Sequence, residues 1–185
     1  MEIKGTALVS TKDFIEKKFG DDGYKKWLTE LPEKTAKIYS ESILLSQWYP
    51  LKESLIEPSQ VMCDMFYKSD VKGAWEAGRH SADFSLKGIY RIFVKMGSPQ
   101  FIAQRASVIL PLFYKPSKMS AEMLGNTTCS IKIHEFSDIC DIIENRVGGW
   151  IEMALELSGG KSRGVEITKS LTSGHEYTEF IVNFE

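Results

Sequence analysis

The chain has 185 residues, 43% of them hydrophobic, and a net charge of −2. That length and apolar content suit one domain with its own core, read as residues 1–185. Its Lys and Arg are scattered, which leaves out the basic footprint of a general nucleic-acid binder, and no run approaches the ~20 apolar residues of a membrane span. Cys63, Cys129 and Cys140 are odd in number and lack CxxC spacing, so a reduced, cytoplasmic protein is expected. The opening MEIKGTALVSTKDF has no continuous apolar core and does not read as a signal peptide.

In chain order, the shared parity of Ile3, Ala7 and Val9 predicts a short strand over 3–9. Thr11 is placed to cap a helix that carries Phe14, Ile15 and Phe19 and stops at Gly20. Asp21 or Asp22 opens a second helix, with Tyr24, Trp27, Leu28 and Leu31 at helical spacing and Pro32 as its stop. Another helix, or a helix running into a turn, is expected over 34–46. Trp48-Tyr49-Pro50 reads as an aromatic corner before a helix over about 51–67. Residues 71–97 hold the longest helical pattern. Ser98-Pro99 starts a further helix to about Tyr114, bent or ended by Pro111.

From Lys118 the period changes to two. A hairpin is predicted over 118–136, turning at Gly125-Asn126, and a second over 162–184, turning near Ser173-Gly174. In the last strand Thr178, Phe180, Val182 and Phe184 share one side, and Tyr177, Glu179, Ile181 and Asn183 the other. Between the hairpins lies a helix over about 138–157. Ser137 is its cap, Ile139, Ile143, Val147, Trp150, Ala154 and Leu157 form its apolar stripe, and Gly159-Gly160 stops it. Gly148 and Gly149 inside it cost ~1 kcal/mol each relative to Ala. Close approach of another backbone or a ligand would offset that cost; otherwise the helix is locally weak or kinked. The resulting fold class is α+β: a mainly helical half, 1–117, packed on a four-stranded antiparallel sheet made of two hairpins joined by a long helix, 118–185. Such layers usually build a pocket between them.

Trp75, Arg79, Ala82, Leu86, Ile89, Phe93 and Met96 recur at alternating steps of four and three, which puts them on one helix face. Arg79 is the charged member. A guanidinium on an apolar face needs a strong acceptor. Either a ligand carboxylate or phosphate supplies it, or an Asp or Glu of the chain does, or the side chain snorkels at the edge of the stripe. His80, one step off, reads as an exposed or helix-bonded histidine.

Catalytic signatures are missing: there is no GxSxG, HExxH, Walker A or GxGxxG pattern. Gly159-Gly160-Lys161-Ser162 follows a helix and precedes a strand, the reverse of a phosphate loop, and reads as a helix stop. His134 and His175 lie in strand patterns and could meet across the sheet with Cys129 or Cys140, a spacing that is not diagnostic of zinc.

Lys4-Gly5, then Phe14-Ile15-Glu16-Lys17-Lys18-Phe19-Gly20 and Trp27-Leu28, resemble the opening of haem–nitric-oxide/oxygen-binding sensor domains. Trp48-Tyr49-Pro50, the stretch from Gly73 to Gly78 and the hairpin–helix–hairpin tail follow in a similar order. The same broad fold is shared by vinyl-reductase-type small-molecule-binding domains and by subunits of the TRAPP vesicle-tethering complex. Whole-length, the chain is similar to a group of proteins of about this size abundant in myxobacteria, through the KGTALVS start, the Trp48-Tyr49-Pro50 corner and the GGWIEMALELSGG helix. Haem-binding members carry a proximal histidine on the helix before the sheet and a Tyr-x-Ser-x-Arg motif for the propionates. Here the helix from Ser98 to Tyr114 has no histidine, and Tyr114-Lys115-Pro116-Ser117-Lys118 has the wrong spacing and Lys for Arg. The resemblance therefore implies the sensor scaffold without its haem ligands. It also implies pairing through helices, so a homodimer is expected by analogy.

These readings converge on a cytoplasmic, non-enzymatic domain that binds a small hydrophobic or amphipathic molecule without cofactor and signals to an unidentified protein partner or a second copy. Neither nucleic acid nor membrane insertion is expected. Trp75, Arg79, Phe93, Phe101 and Trp150 are the candidate ligand-binding residues, with Arg79 set against a head group and the aromatics around the body. The alternatives are an interaction module whose pocket is filled by its own side chains, and a metal protein or enzyme using Cys129, His134, Cys140 or His175.

Overall fold

The computed structural model of the chain describes residues 1–87 and 108–185. Expectations for residues 88–107, including the far end of the long helical stripe, the Ser98-Pro99 start, Phe93 and Phe101, lie outside the described residues. Strand β1 (Glu2–Lys4) is three residues long and gives way at Gly5 to a helix, α1 (Gly5–Glu30). The strand expected over 3–9 is thus mostly helix, and Thr11 lies inside it rather than capping it. Gly5 to Leu8, Ser10, Thr11, Phe14 and Ile15 are its buried residues at this end, a helical spacing that outweighs the parity of Ile3, Ala7 and Val9. The Ser10 and Thr11 hydroxyls turn back to the Ala7 carbonyl at 2.8 Å each, which lets polar residues sit on a buried helix face. At Gly20 the backbone takes φ 71° and ψ 177°, so the predicted break is a one-residue kink within α1.

Helix α2 (Glu33–Ser40) is shorter than the 34–46 pattern suggested. The aromatic corner is a strand, β2 (Trp48–Pro50), and it is followed by a π-helical turn (Lys52–Ile56), α3 (Glu57–Tyr67) and α4 (Lys72–Lys87). A 3-10 turn (Leu110–Leu112) leads into β3 (Tyr114–Lys115). Strand β1 pairs antiparallel with both β2 and β3, a three-stranded sheet in the order β2-β1-β3. Lys4 and Lys115 hold their ammonium groups 4.5 and 4.2 Å from the Trp48 ring centroid, which ties the three strands together on one side.

Both predicted hairpins form: β4 (Lys118–Met123) with β5 (Thr128–Glu135), and β6 (Ser162–Lys169) with β7 (Thr178–Phe184). They join into one antiparallel sheet in the order β4-β5-β7-β6. Registers Ala121↔Ile131, Ile131↔Phe180 and Cys129↔Val182 align the apolar rows, and Thr178, Phe180, Val182 and Phe184 are buried as their shared parity predicts. Between the hairpins runs α5 (Asp141–Leu157), which starts three residues later than expected. Ser137 does not cap it. Asp138, placed in the first turn by the sequence pattern, instead takes the Met1 amine at 2.7 Å.

Helix α5 lies between α4 and the sheet, so it buries Ile142, Ile143 and Val147 and also Gly148, Gly149, Ile151 and Leu155. The two glycines are there because the helices nearly touch. A Cβ on Gly149 would overlap the Trp75 carbonyl, one on Gly148 the Trp75 ring, and one on Gly78 the Arg146 carbonyl. Close backbone approach therefore explains the pair, and α5 continues through it without a break. One buried cluster connects α1, α3, α5 and the sheet. Among the described residues no helix is long and apolar enough to cross a membrane.

Candidate functional site

A cavity of about 40 Å3 lies between the helical half and the sheet. Helix α1 contributes Ala7, α4 Ser81, and the 3-10 turn with its flanks Ile109, Leu110 and Phe113. Tyr114 of β3 and Met119 of β4 close one side, and Val147, Trp150 and Ile151 of α5 the other. The wall is mostly apolar, and Ser81, Tyr114 and Trp150 are its residues with polar side-chain groups. The Trp150 Nε1–H is buried and has no hydrogen-bond acceptor among the described residues, while its ring leans on Phe113 with centroids 5.8 Å apart. The Ser81 and Ser10 hydroxyl oxygens lie 2.9 Å apart.

Of the sequence-derived candidates, Trp150 is on this wall. Trp75 and Arg79 are not among its described lining; they lie on the α4 face that meets α5. Trp75 Nε1 donates to Glu152 Oε2 at 2.9 Å, and Arg79 Nη1 donates to the same oxygen at 2.5 Å. Arg79 also reaches both oxygens of Glu156, at 3.1 and 2.7 Å. The acceptor foreseen for Arg79 is thus a pair of glutamates one turn apart on α5. With its side chain 27% exposed, Arg79 sits in an ion pair at the edge of the seam. Replacing Arg79 with Met is expected to lower stability by about 1 kcal/mol, because solvent screens the pair and the two glutamates are left facing each other. Urea denaturation measures this, and a loss several times larger would show that the guanidinium holds the two helices together.

Among the described residues the deeply buried guanidinium is a different one. Arg146 on α5 is 2% exposed. Its Nη1 donates to Ser59 Oγ at 3.3 Å and its Nη2 to Thr11 Oγ1 at 3.0 Å. Burial pushes the Tyr114 hydroxyl above its ordinary pKa, and Arg146 pulls in the opposite direction. Arg146 escapes sequence reading because α5 has no solvated face through this stretch. Its spacing from Ile142 and Gly149, at steps of four and three on one side of the helix, was the available signal.

The Cys and His residues are not brought together. His134 Nε2 lies 2.7 Å from Ser120 Oγ, and His175 Nδ1 3.1 Å from the Ser170 carbonyl. Among the described residues no group of three or more His, Cys, Asp and Glu could hold a metal. Burial pushes the Cys63 and Cys129 thiols up to about 11 and raises that of Cys140, which makes them poor thiolate donors.

No protein-family model matches the chain, and no curated protein matches it in sequence. Among solved structures it is similar to an H-NOX protein from S. oneidensis in its Fe(II)NO ligation state, with 12% identity, 99% of each chain covered and a TM-score of 0.76. It is similar also to the Fe(II) unliganded H-NOX protein from K. algicida, with 12% identity, 99% of this chain and 97% of that one covered and a TM-score of 0.72. A point mutant of Tt H-NOX gives 14% identity, 99% and 95% coverage and a TM-score of 0.74. The chain therefore has an H-NOX-like, α+β fold over its whole length.

A haem does not fit the residues present. The described wall offers a phenol and a thioether, Tyr114 and Met119, but no imidazole or thiolate. His80 Nε2 lies 2.6 Å from Asp13 Oδ2, and its ring is tilted against Phe14. The cavity has room for about three water-sized spheres, far less than a macrocycle needs.

Proposed function

We propose that this chain is a non-enzymatic binding domain which takes a small, mostly apolar molecule into the cavity between helices and sheet, without haem, and reports to a protein partner or a second copy. The observation that carries the reading is the mostly apolar cavity itself, walled by Ile109, Leu110, Phe113, Val147, Trp150 and Ile151. Its aliphatic and aromatic wall suits such a guest. Phe93 and Phe101 stay with Trp150 as proposed ligand-binding residues, whereas Glu152 and Glu156 occupy Trp75 and Arg79. The cytoplasm is the proposed compartment.

Xenon is a suitable first probe, read through the four tryptophan indole N–H signals in a nitrogen-15 NMR spectrum. The Trp150 signal is expected to move, and that of Trp27, held by the Pro58 carbonyl at 3.0 Å, to stay. The small cavity volume favours a second reading, an interaction module whose pocket its own side chains fill. A motionless Trp150 signal under xenon pressure would establish that reading and overturn the first.

A further inference from the structure

The cavity wall selects by what it withholds. Ile109, Leu110, Val147 and Ile151 offer aliphatic carbon, Phe113 a ring and Met119 a polarisable thioether. The described wall has no Asp, Glu, Lys, Arg or His. Its three polar side chains add little for a guest to hold. An atom facing a space that admits water would be exposed to it, whereas Trp150 Nε1 is buried, so Trp150 turns carbon to the cavity. Ser10 Oγ donates to the Ala7 carbonyl at 2.8 Å, so the 2.9 Å contact between Ser10 and Ser81 takes up the Ser81 proton. Burial pushes the Tyr114 phenol above its ordinary pKa, which keeps it uncharged. A charged or strongly hydrated guest would shed its water here and gain little in return.

The volume sets the size. A space of about 40 Å3 holds about three water-sized spheres, which leaves no room for an aromatic ring or a long chain. A diatomic molecule would fit but would touch only part of the wall and forgo dispersion contacts with the rest. Each carbon added within the space takes more apolar surface out of water, so the guest that fills it gains most.

We infer that the cavity is a site for a neutral hydrocarbon of about three carbons, seated against Met119, Val147 and Ile151. This inference rests on the binding reading proposed above and adds the ligand class: guests with a charged or hydrogen-bonding head group are excluded.

The test titrates the full chain with ethane, propane, ethanol and benzene, with xenon as the control, and reads the methyl signals of Ile109, Val147 and Ile151 by carbon-13 NMR. Propane is expected to bind about fourfold more tightly than ethane, the gain of one buried carbon. It should bind about a hundredfold more tightly than ethanol, which has the same number of heavy atoms but buries a hydroxyl. Benzene should leave the signals where they are. Ile151→Ala enlarges the space and should admit benzene, as an apolar cavity of sufficient size does. Val147→Ala makes the same test with a smaller trim if Ile151→Ala does not fold. Ethanol that binds as tightly as propane, benzene that enters the parent protein, or propane that fails where xenon binds would overturn the hydrocarbon inference and leave the cavity reading intact. An enlarged cavity that still refuses benzene would overturn the size limit. Xenon that moves none of these methyl signals would remove both readings.

Discussion

Gly149→Ala should unfold this protein more readily than any surface change, with an expected loss of about 3 kcal/mol or more in denaturant titrations. The sign is the informative part. In an ordinary helix interior the same change stabilises by ~1 kcal/mol, because alanine is the better helix former. Here the added methyl would meet the Trp75 carbonyl, a backbone atom that cannot swing away. Relief requires α4 and α5 to separate, which would loosen the contacts of Ala82 and Leu86 with Ala154 and disturb the Trp75–Glu152 hydrogen bond. Gly148→Ala should cost less, since the atoms in its way belong to the Trp75 ring. A neutral or stabilising Gly149→Ala would mean that the helices lie farther apart than described. The same seam bears on function, because α4 and α5 carry Ser81, Val147 and Trp150 of the cavity wall.

Much of the sheet half was legible because its signal is local. The alternation of Thr178, Phe180, Val182 and Phe184 is carried by four side chains within seven residues, and each is buried. The three-stranded sheet was not legible. Its strands are two or three residues long and its partners lie at positions 2–4, 48–50 and 114–115, too short for periodicity and too far apart for turn chemistry. The start of α1 was misread for a different reason: Ser10 and Thr11 look like boundary residues until their hydroxyls are seen folded back on the helix. The charged residues show how far a stripe can be trusted. Spacing puts Arg79 on the apolar face of α4, but spacing gives direction and not depth. Arg79 lies at the edge of the seam, in reach of Glu152 and Glu156, while among the described residues the buried cation is Arg146, on a helix covered on two sides and so lacking the polar face that would mark the contrast. Trp150 is on the α5 stripe and lines the cavity; that its buried N–H has no acceptor among the described residues is a three-dimensional fact that no spacing carries.

Glu144→Ala is expected to be the second severe change, at about 3 kcal/mol, and to act at the opposite face of α5 from Arg146. Glu144 is 3% exposed and accepts from three hydroxyls: Ser170 at 2.7 Å and Thr172 at 2.8 Å on one oxygen, Thr178 at 2.5 Å on the other. No cation pairs with it among the described residues, so these charge-assisted bonds and its place in the first turn of α5 stabilise the carboxylate. Removing it leaves the Thr178 hydroxyl, fully buried, without its acceptor, and frees the loop between β6 and β7 from the helix. Glu144→Gln separates the two contributions. Its amide oxygen can still take one hydroxyl proton, and the serine and threonine hydroxyls can rotate to accept from its amide N–H groups. If acceptor geometry dominates, Gln recovers most of the loss. If the charge dominates, Gln behaves like Ala, and hydrogen exchange should then show the 170–177 loop opening ahead of the sheet. A protein indifferent to Glu144→Ala would mean that water takes over the three hydroxyls, and the loop could not be anchored as the hydrogen bonds imply.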